Sequence, residues 1–161
     1  MFLNKRKAIF LISVTVLIFI LTINLVKSQT IKIVDGDTIH LNGEKIRFTG
    51  IDTPELKQTC IKDGVKDACG VTAKQILIDK ISNNSVECIN EGKDQYKRTL
   101  AECFVNNESL SKYLVRSGYA FAYRKYSKKF IEDEEYAKAN KLGLWQTEFQ
   151  FPWDFRKSKK K

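Results

Sequence analysis

The sequence predicts an α+β domain: a small five-stranded β-barrel with about three helices, preceded by an apolar N-terminal helix. Three observations lead there. Short β-branched runs come first and helical periodicity later, an Asn42-Gly43 pair joins two of the runs, and residues 8–26 form an uncharged apolar stretch apart from the rest.

Each element has a local reason. Thr30–Val34 and Thr38–Leu41 are β-branched runs broken at Asp35-Gly36-Asp37. Asn42-Gly43 is a strong hairpin signal, because both residues accept the positive φ angles of a tight turn, and it leads into a strand at Lys45–Thr49. Gly50–Gly70 reads as loop, and a helix is predicted at Val71–Ile81 with Ala73, Ile76 and Leu77 along one side. Val86–Ile89 and Leu100–Val105 read as strands, Asn106-Asn107 as a turn, and Glu108–Ser117 as a short helix stopped by Gly118. Tyr119–Tyr123 reads as extended. Ser127 is the expected N-cap of a helix over Lys128–Leu142, whose acidic run Glu132–Glu135 suits the helix dipole and reads as a solvated face. Trp145, Phe149, Phe151, Trp153 and Phe155 are expected to fold back over the core. Five strands with one inserted helix and two following resemble an OB-fold barrel, which closes its sheet and offers a groove for oligonucleotides.

The chain divides into residues 1–27, a signal anchor or signal peptide; 28–148, the folded domain; and 149–161, an aromatic and then basic tail. The apolar stretch 8–26 is ~28 Å long as a helix, close to the hydrocarbon thickness of a bilayer. Lys5-Arg6-Lys7 before it predicts export of everything that follows, periplasmic or extracellular-facing, either tethered through residues 8–26 or released by cleavage. The 161-residue chain has formal charge +9, from 28 Lys plus Arg against 19 Asp plus Glu. The excess cations sit at the two ends, so the body between Ser28 and Phe155 is balanced and a uniformly cationic nucleic-acid coat is excluded. The 43% apolar content excludes a disordered chain.

Cys60, Cys69, Cys88 and Cys103 all follow the apolar stretch and contain no C-x-x-C, which disfavours a zinc site. Of the three possible pairings, Cys60–Cys69 around Gly64 and Cys88–Cys103 between two predicted strands are favoured, in keeping with an oxidising compartment.

The chemistry concentrates in Val34–Glu55, VDGDTIHLNGEKIRFTGIDTPE. A hairpin brings Arg47 back toward Asp37, and both face the loop carrying Asp52, Thr53 and Glu55. Asp37 and Asp52 are candidates to share a cation, and an all-oxygen donor set favours Ca²⁺ or Mg²⁺ over zinc. His40 is the one histidine; it reads as an exposed strand residue, and its isolation removes His-dependent hydrolytic mechanisms. Asp94-Gln95-Tyr96-Lys97-Arg98 adds a second guanidinium.

Taken together, VDGDT, Ile46-Arg47-Phe48, GIDTPE, D-x-Y-x-R-x-L-A at Asp94–Ala101, Leu114–Ala120 and Gly143-Leu144-Trp145 resemble the staphylococcal nuclease (thermonuclease) family over roughly Thr30–Trp145. The four cysteines and Phe151-Pro152-Trp153 resemble its exported bacterial members. The resemblance implies an OB-fold and Ca²⁺-dependent hydrolysis of DNA and RNA leaving 3′-phosphates. It implies Asp37, Asp52 and the Thr53 carbonyl as metal ligands, with Asp35 behind them. Glu55 matches the group handling the attacking water, Arg47 and Arg98 the phosphate-binding arginines, and Tyr96 and Tyr123 the nucleotide-binding tyrosines. The chain departs from the family's D-x-Y-G-R at Lys97; a glycine required there for positive φ would put the placement of Arg98 in question.

The leading expectation is therefore a monomeric endonuclease acting on DNA and RNA, with no protein partner implied. The alternative is a non-catalytic OB-fold module that binds nucleic acid or a protein at the membrane, toward which only Lys97 leans. Strong binding without cleavage is its signature.

Overall fold

Residues 29–160 are described in the computed structural model of the protein; the predicted signal or anchor segment lies outside them. The strands are β1 (Ile31–Ile33), β2 (Thr38–Leu41), β3 (Glu44–Phe48), β4 (Ile51–Asp52), β5 (Cys60–Lys62), β6 (Val65–Asp67), β7 (Glu87–Lys93), β8 (Thr99–Val105), β9 (Glu108–Ser109) and β10 (Phe121–Ala122). The helices are α1 (Cys69–Ile81), α2 (Leu110–Arg116), α3 (Ile131–Ala139) and α4 (Pro152–Ser158), with a 3₁₀ turn at Gly143–Gln146.

The main sheet runs β1-β2-β3-β8-β7, with β9 added to β8. It thus has six strands where five were expected, and the two-residue ladder β4–β10 stands apart from it. All its pairings are antiparallel except β3–β8, which sets Arg47 beside Leu100. The turn between β2 and β3 is the expected one, with Asn42 at φ 52° and Gly43 at φ 87°. Near the outer strands, the Gln29 side-chain amide donates to the Val86 carbonyl and accepts its N–H, both at 2.8 Å. A glutamine thus clasps the chain just before β1 to the chain just before β7.

Ile39, Ile46 and Phe48 from the sheet, Leu77 and Ile81 from α1, and Leu110, Leu114 and Val115 at α2 form the principal core. Burying each large aliphatic or aromatic side chain contributes about 1.5–3 kcal/mol. A second core gathers Phe121, Leu144 and the Cys60–Cys69 bridge under Trp145, Phe149, Phe151 and Trp153. Phe121 lies 5.0–5.5 Å from the rings of Phe149, Phe151 and Trp145, so the aromatic tail does fold back. The disulfides are Cys60–Cys69 and Cys88–Cys103, and the second joins residues directly opposite each other on β7 and β8.

Several elements differ from expectation. The Gly50–Gly70 loop contains β4 and the β5–β6 hairpin, whose ends the Cys60–Cys69 bridge draws together. Glu108–Ser109 extends the sheet before α2 begins, and the Ser109 hydroxyl caps that helix by accepting the Lys112 N–H at 3.1 Å. Ser127 accepts from Lys129 in a preceding turn, while α3 starts after the buried Phe130. The acidic run is not wholly solvated: Glu134 is buried, accepting the Ala122 N–H at 2.9 Å and pairing with Arg124, and Asp133 pairs with Arg116. The basic tail forms α4, with Pro152 at its first turn, where a missing N–H costs least.

Candidate active site

The β2–β3 hairpin sets Thr38 opposite Arg47, and the Asp37 carbonyl accepts the Phe48 N–H at 2.8 Å. Asp37 therefore stands at the mouth of the hairpin, beside the guanidinium crossing from β3. In β4, Asp52 is paired with Phe121 of β10. The Arg47 fork spans the two acids: Nη1 donates to Asp37 Oδ1 at 2.6 Å and Nη2 to Asp52 Oδ1 at 2.8 Å. A planar, permanently charged fork makes this bridge where a lysine's point charge cannot.

Both acids are almost fully enclosed, with relative exposures of 2% for Asp37 and 0% for Asp52. Burial pushes the Asp37 carboxyl up to about 6; Arg47 opposes it, Asp35 reinforces it, and hydrogen bonds from the Thr38 hydroxyl and Thr53 amide pull the other way. Burial likewise raises Asp52, against the stabilising hydrogen bonds and charge of Arg156 and Arg47. Burial tends to lower Arg47, yet attraction to Asp37 and Asp52 leaves it above its ordinary value.

The loop after β4 is fixed from several sides. Thr53 donates its N–H to Asp37 Oδ2 at 3.2 Å, and Asp35 Oδ1 accepts the Asp37 N–H at 3.1 Å. Glu55 is held by Gln58, whose Oε1 accepts the Glu55 N–H at 3.2 Å while its own N–H donates to the Glu55 carbonyl at 2.7 Å. Gly70, at the start of α1, lies so close to that carbonyl that a Cβ there would stand 1.8 Å from it. Only glycine permits this approach.

The sequence reading missed Arg156 of α4. It donates from Nη2 to Asp52 Oδ2 at 2.7 Å, and from Nη1 to Asp52 Oδ1 at 3.1 Å and Glu55 Oε1 at 2.8 Å. Burial would lower this guanidinium, but bonds and attraction to Asp52 and Glu55 raise it further above its ordinary range. Asp37, Arg47, Asp52, Thr53, Glu55 and Arg156 thus form one connected cluster.

Arg98 and Tyr96 stand outside that hydrogen-bonded cluster. Arg98 directly precedes β8, whose Leu100 is Arg47's partner, but its Nε donates to Asp94 Oδ2 at 2.6 Å. Asp94 Oδ1 also accepts the N–H groups of Tyr96 and Arg98, at 2.8 and 2.9 Å. These bonds outweigh burial and lower the Asp94 carboxyl below its ordinary value. Lys97 adopts φ 63°, so the chain keeps the left-handed turn with a lysine in it. Tyr96 is exposed and lies under Arg98 at 5.6 Å. Tyr123 follows β10, donates its N–H to the Gly50 carbonyl at 2.9 Å, and stacks on Trp153 at 5.6 Å with an interplanar angle of 2°. His40 is half-buried in β2.

Among the described residues, no three His, Cys, Asp or Glu side chains group as metal ligands. The two buried carboxylates remain the natural cation donors. With a main-chain carbonyl and water they make an all-oxygen set that fits a hard divalent ion.

Comparison with known proteins shows the family. The family model described as Staphylococcal nuclease homologue matches residues 45–147. An "Uncharacterized endonuclease" of Haemophilus influenzae is 32% identical over 124 residues, covering 73% of this chain and 65% of that protein. The succinoglycan biosynthesis protein ExoI of Rhizobium meliloti is 28% identical over 120 residues, covering 72% and 63%. Endonuclease YncB of Bacillus subtilis is 32% identical over 135 residues, covering 70% and 58%. The chain spans less than two thirds of the length of each of these relatives. The matched stretch takes in Arg47, Asp52, Glu55 and Arg98, and by it this chain belongs to the staphylococcal nuclease homologue family.

Proposed function

We propose that the protein is a Ca²⁺-dependent endonuclease that hydrolyses phosphodiester bonds of DNA and RNA. The carrying observation is the Arg47 fork bridging Asp37 and Asp52 beside Glu55. Two of the relatives above are named as endonucleases, which supports the reading. The sheet, read as an OB-type barrel, supplies the groove for the strand.

The chain's own groups divide the work. Asp37, Asp52 and the Thr53 carbonyl are the residues that would hold the cation, which when bound supplies positive charge to a non-bridging phosphate oxygen. Arg47 and Arg98 offer forked hydrogen bonds that strengthen as negative charge grows on the phosphorus oxygens. Glu55 orients the attacking water and accepts its proton. A carboxylate is a weak base for free water, so positioning by Gln58 and Gly70 carries much of its effect. Arg98 can only hydrogen-bond the leaving oxygen, which departs as its bond to phosphorus breaks and takes its proton from solvent. Tyr123 and Tyr96 are assigned to nucleotide binding.

We assign the domain to an exported, monomeric protein held by or released from residues 8–26; its two disulfides suit that compartment. The test is cleavage of single-stranded DNA and RNA by the purified full chain in detergent, with Ca²⁺ and with chelator. Glu55→Gln should lower turnover by ~10²-fold or more. Tight nucleic-acid binding with no cleavage under any divalent ion would replace this reading with the binding module.

A further inference from the structure

The C-terminal helix engages two of the groups assigned above to the chemistry, Asp52 and Glu55. Arg156 engages both carboxylate oxygens of Asp52 and one of Glu55, at 2.7–3.1 Å. Three residues earlier, Trp153 lies flat on Tyr123. One short helix therefore delivers a cation mimic to the acids and an aromatic plane to the tyrosine. Arg156 at Asp52 Oδ2 is the sole hydrogen-bond donor to that oxygen among the described residues, so freeing it requires moving only α4.

From these paired contacts we infer that α4 is an autoinhibitory plug acting in cis, displaced when Ca²⁺ and a nucleic-acid strand enter together. This rests on the proposed nuclease reading. The attachment suits such a device. Upstream, Phe149 and Phe151 are packed around Phe121, and Gln58 Nε2 donates to the Gln150 carbonyl at 2.5 Å. Pro152 is buried and Trp153 still packs on that aromatic cluster, and from them residues 154–158 extend as the end of a helix of 7 residues, too short to hold its shape without a docking surface. Beyond Arg156 the chain continues with Lys157, Lys159 and Lys160, all exposed. A polyanionic strand gives these cations an alternative partner, while a divalent ion gives Asp52 and Glu55 one. A plug closed nine-tenths of the time lowers apparent affinity about tenfold.

The experiment uses the full chain in detergent. Calorimetric titration with Ca²⁺ compares it with Arg156→Gln and with a chain ending at Phe151; both variants should bind Ca²⁺ about tenfold more tightly. Amide exchange in α4 of the unaltered chain is followed with and without Ca²⁺ plus a phosphorothioate oligonucleotide, and should quicken about tenfold on their addition. That measurement needs no variant to fold. Weaker or unchanged Ca²⁺ binding in both variants, or α4 amides unchanged or slowed by the ligands, overturns the plug. Cleavage is assayed separately: if no form cleaves with any divalent ion, the nuclease reading fails, while Ca²⁺ affinity and exchange still decide the plug. Absence of Ca²⁺ binding in every form overturns both.

Discussion

Gln58 holds Glu55 by a reciprocal pair of hydrogen bonds, its side-chain oxygen accepting the Glu55 N–H and its own N–H meeting the Glu55 carbonyl. The glutamine is 1% exposed, and its amide nitrogen reaches Gln150 on the far side. It locks the glutamate loop and the base of the C-terminal segment to one point.

Replacing Gln58 with leucine keeps the volume but strands the Glu55 N–H and the Gln150 carbonyl. Stability should fall by about 1–3 kcal/mol, the cost of unpaired buried polar groups. Chemical denaturation checks this, and a turnover that falls more than KM rises would show that the glutamate is misplaced.

A methyl at Gly70 meets the Glu55 carbonyl at 1.8 Å, so Gly70→Ala must push the loop or α1 aside. Displacement near 1 Å is expected to reduce turnover about 10²-fold. Thermal melting should show a loss of about 1–3 kcal/mol from overpacking.

Lysine is a poor bridge between two carboxylates. Arg47→Lys keeps the charge and loses the fork, and should lower kcat/KM by about 10²-fold. Steady-state kinetics with single-stranded DNA provides the check; unchanged kcat/KM would remove Arg47 from transition-state binding.

At Lys97, φ 63° is strained for any side chain bearing a Cβ. Lys97→Gly should stabilise the protein by about 1 kcal/mol, the steric cost of the left-handed conformation. Activity should be unchanged or raised, since Arg98 already has its place through Asp94.

The Asp94 carboxyl lies below its ordinary value because the Arg98 and Tyr96 N–H bonds outweigh burial. A depressed carboxylate contributes stability that is complete above its unfolded value of 3.8 and is lost as pH falls through the lower folded value. The protection factors of the Tyr96 and Arg98 amides should therefore fall below about pH 4. Asp94→Asn should show fast exchange at neutral pH and no such acid step.

What was legible in the sequence was local. Asp37 and Arg47 lie in one hairpin whose turn residues announce themselves, and their ion pair follows from that register. Cys88 and Cys103 fell in two apparent strands and are in fact opposite one another. Arg156 was invisible for the opposite reason: it meets Asp52 across 104 residues, and a basic tail names no partner. Gln58 looked like any loop polar residue. Two-residue strands such as β4 and β10 are too short for periodicity to register, so the ladder placing Asp52 beside Phe121 appears only in the fold. Asp133 and Glu134 read as solvent-facing because charge pattern carries no sign of the Ala122 amide or the Arg116 and Arg124 guanidiniums waiting across the chain.

The parallel pairing of β3 with β8 has a kinetic corollary. Its strands are separated by the whole stretch between Phe48 and Thr99, and closing so long a loop loses entropy before any ladder bond compensates. The two disulfides span sequence separations of only 9 and 15, and neither crosses that gap. Oxidation therefore stiffens a hairpin at each locality while leaving the slow search for Arg47's neighbour to apolar collapse. A reductant should hasten unfolding much more than it retards refolding.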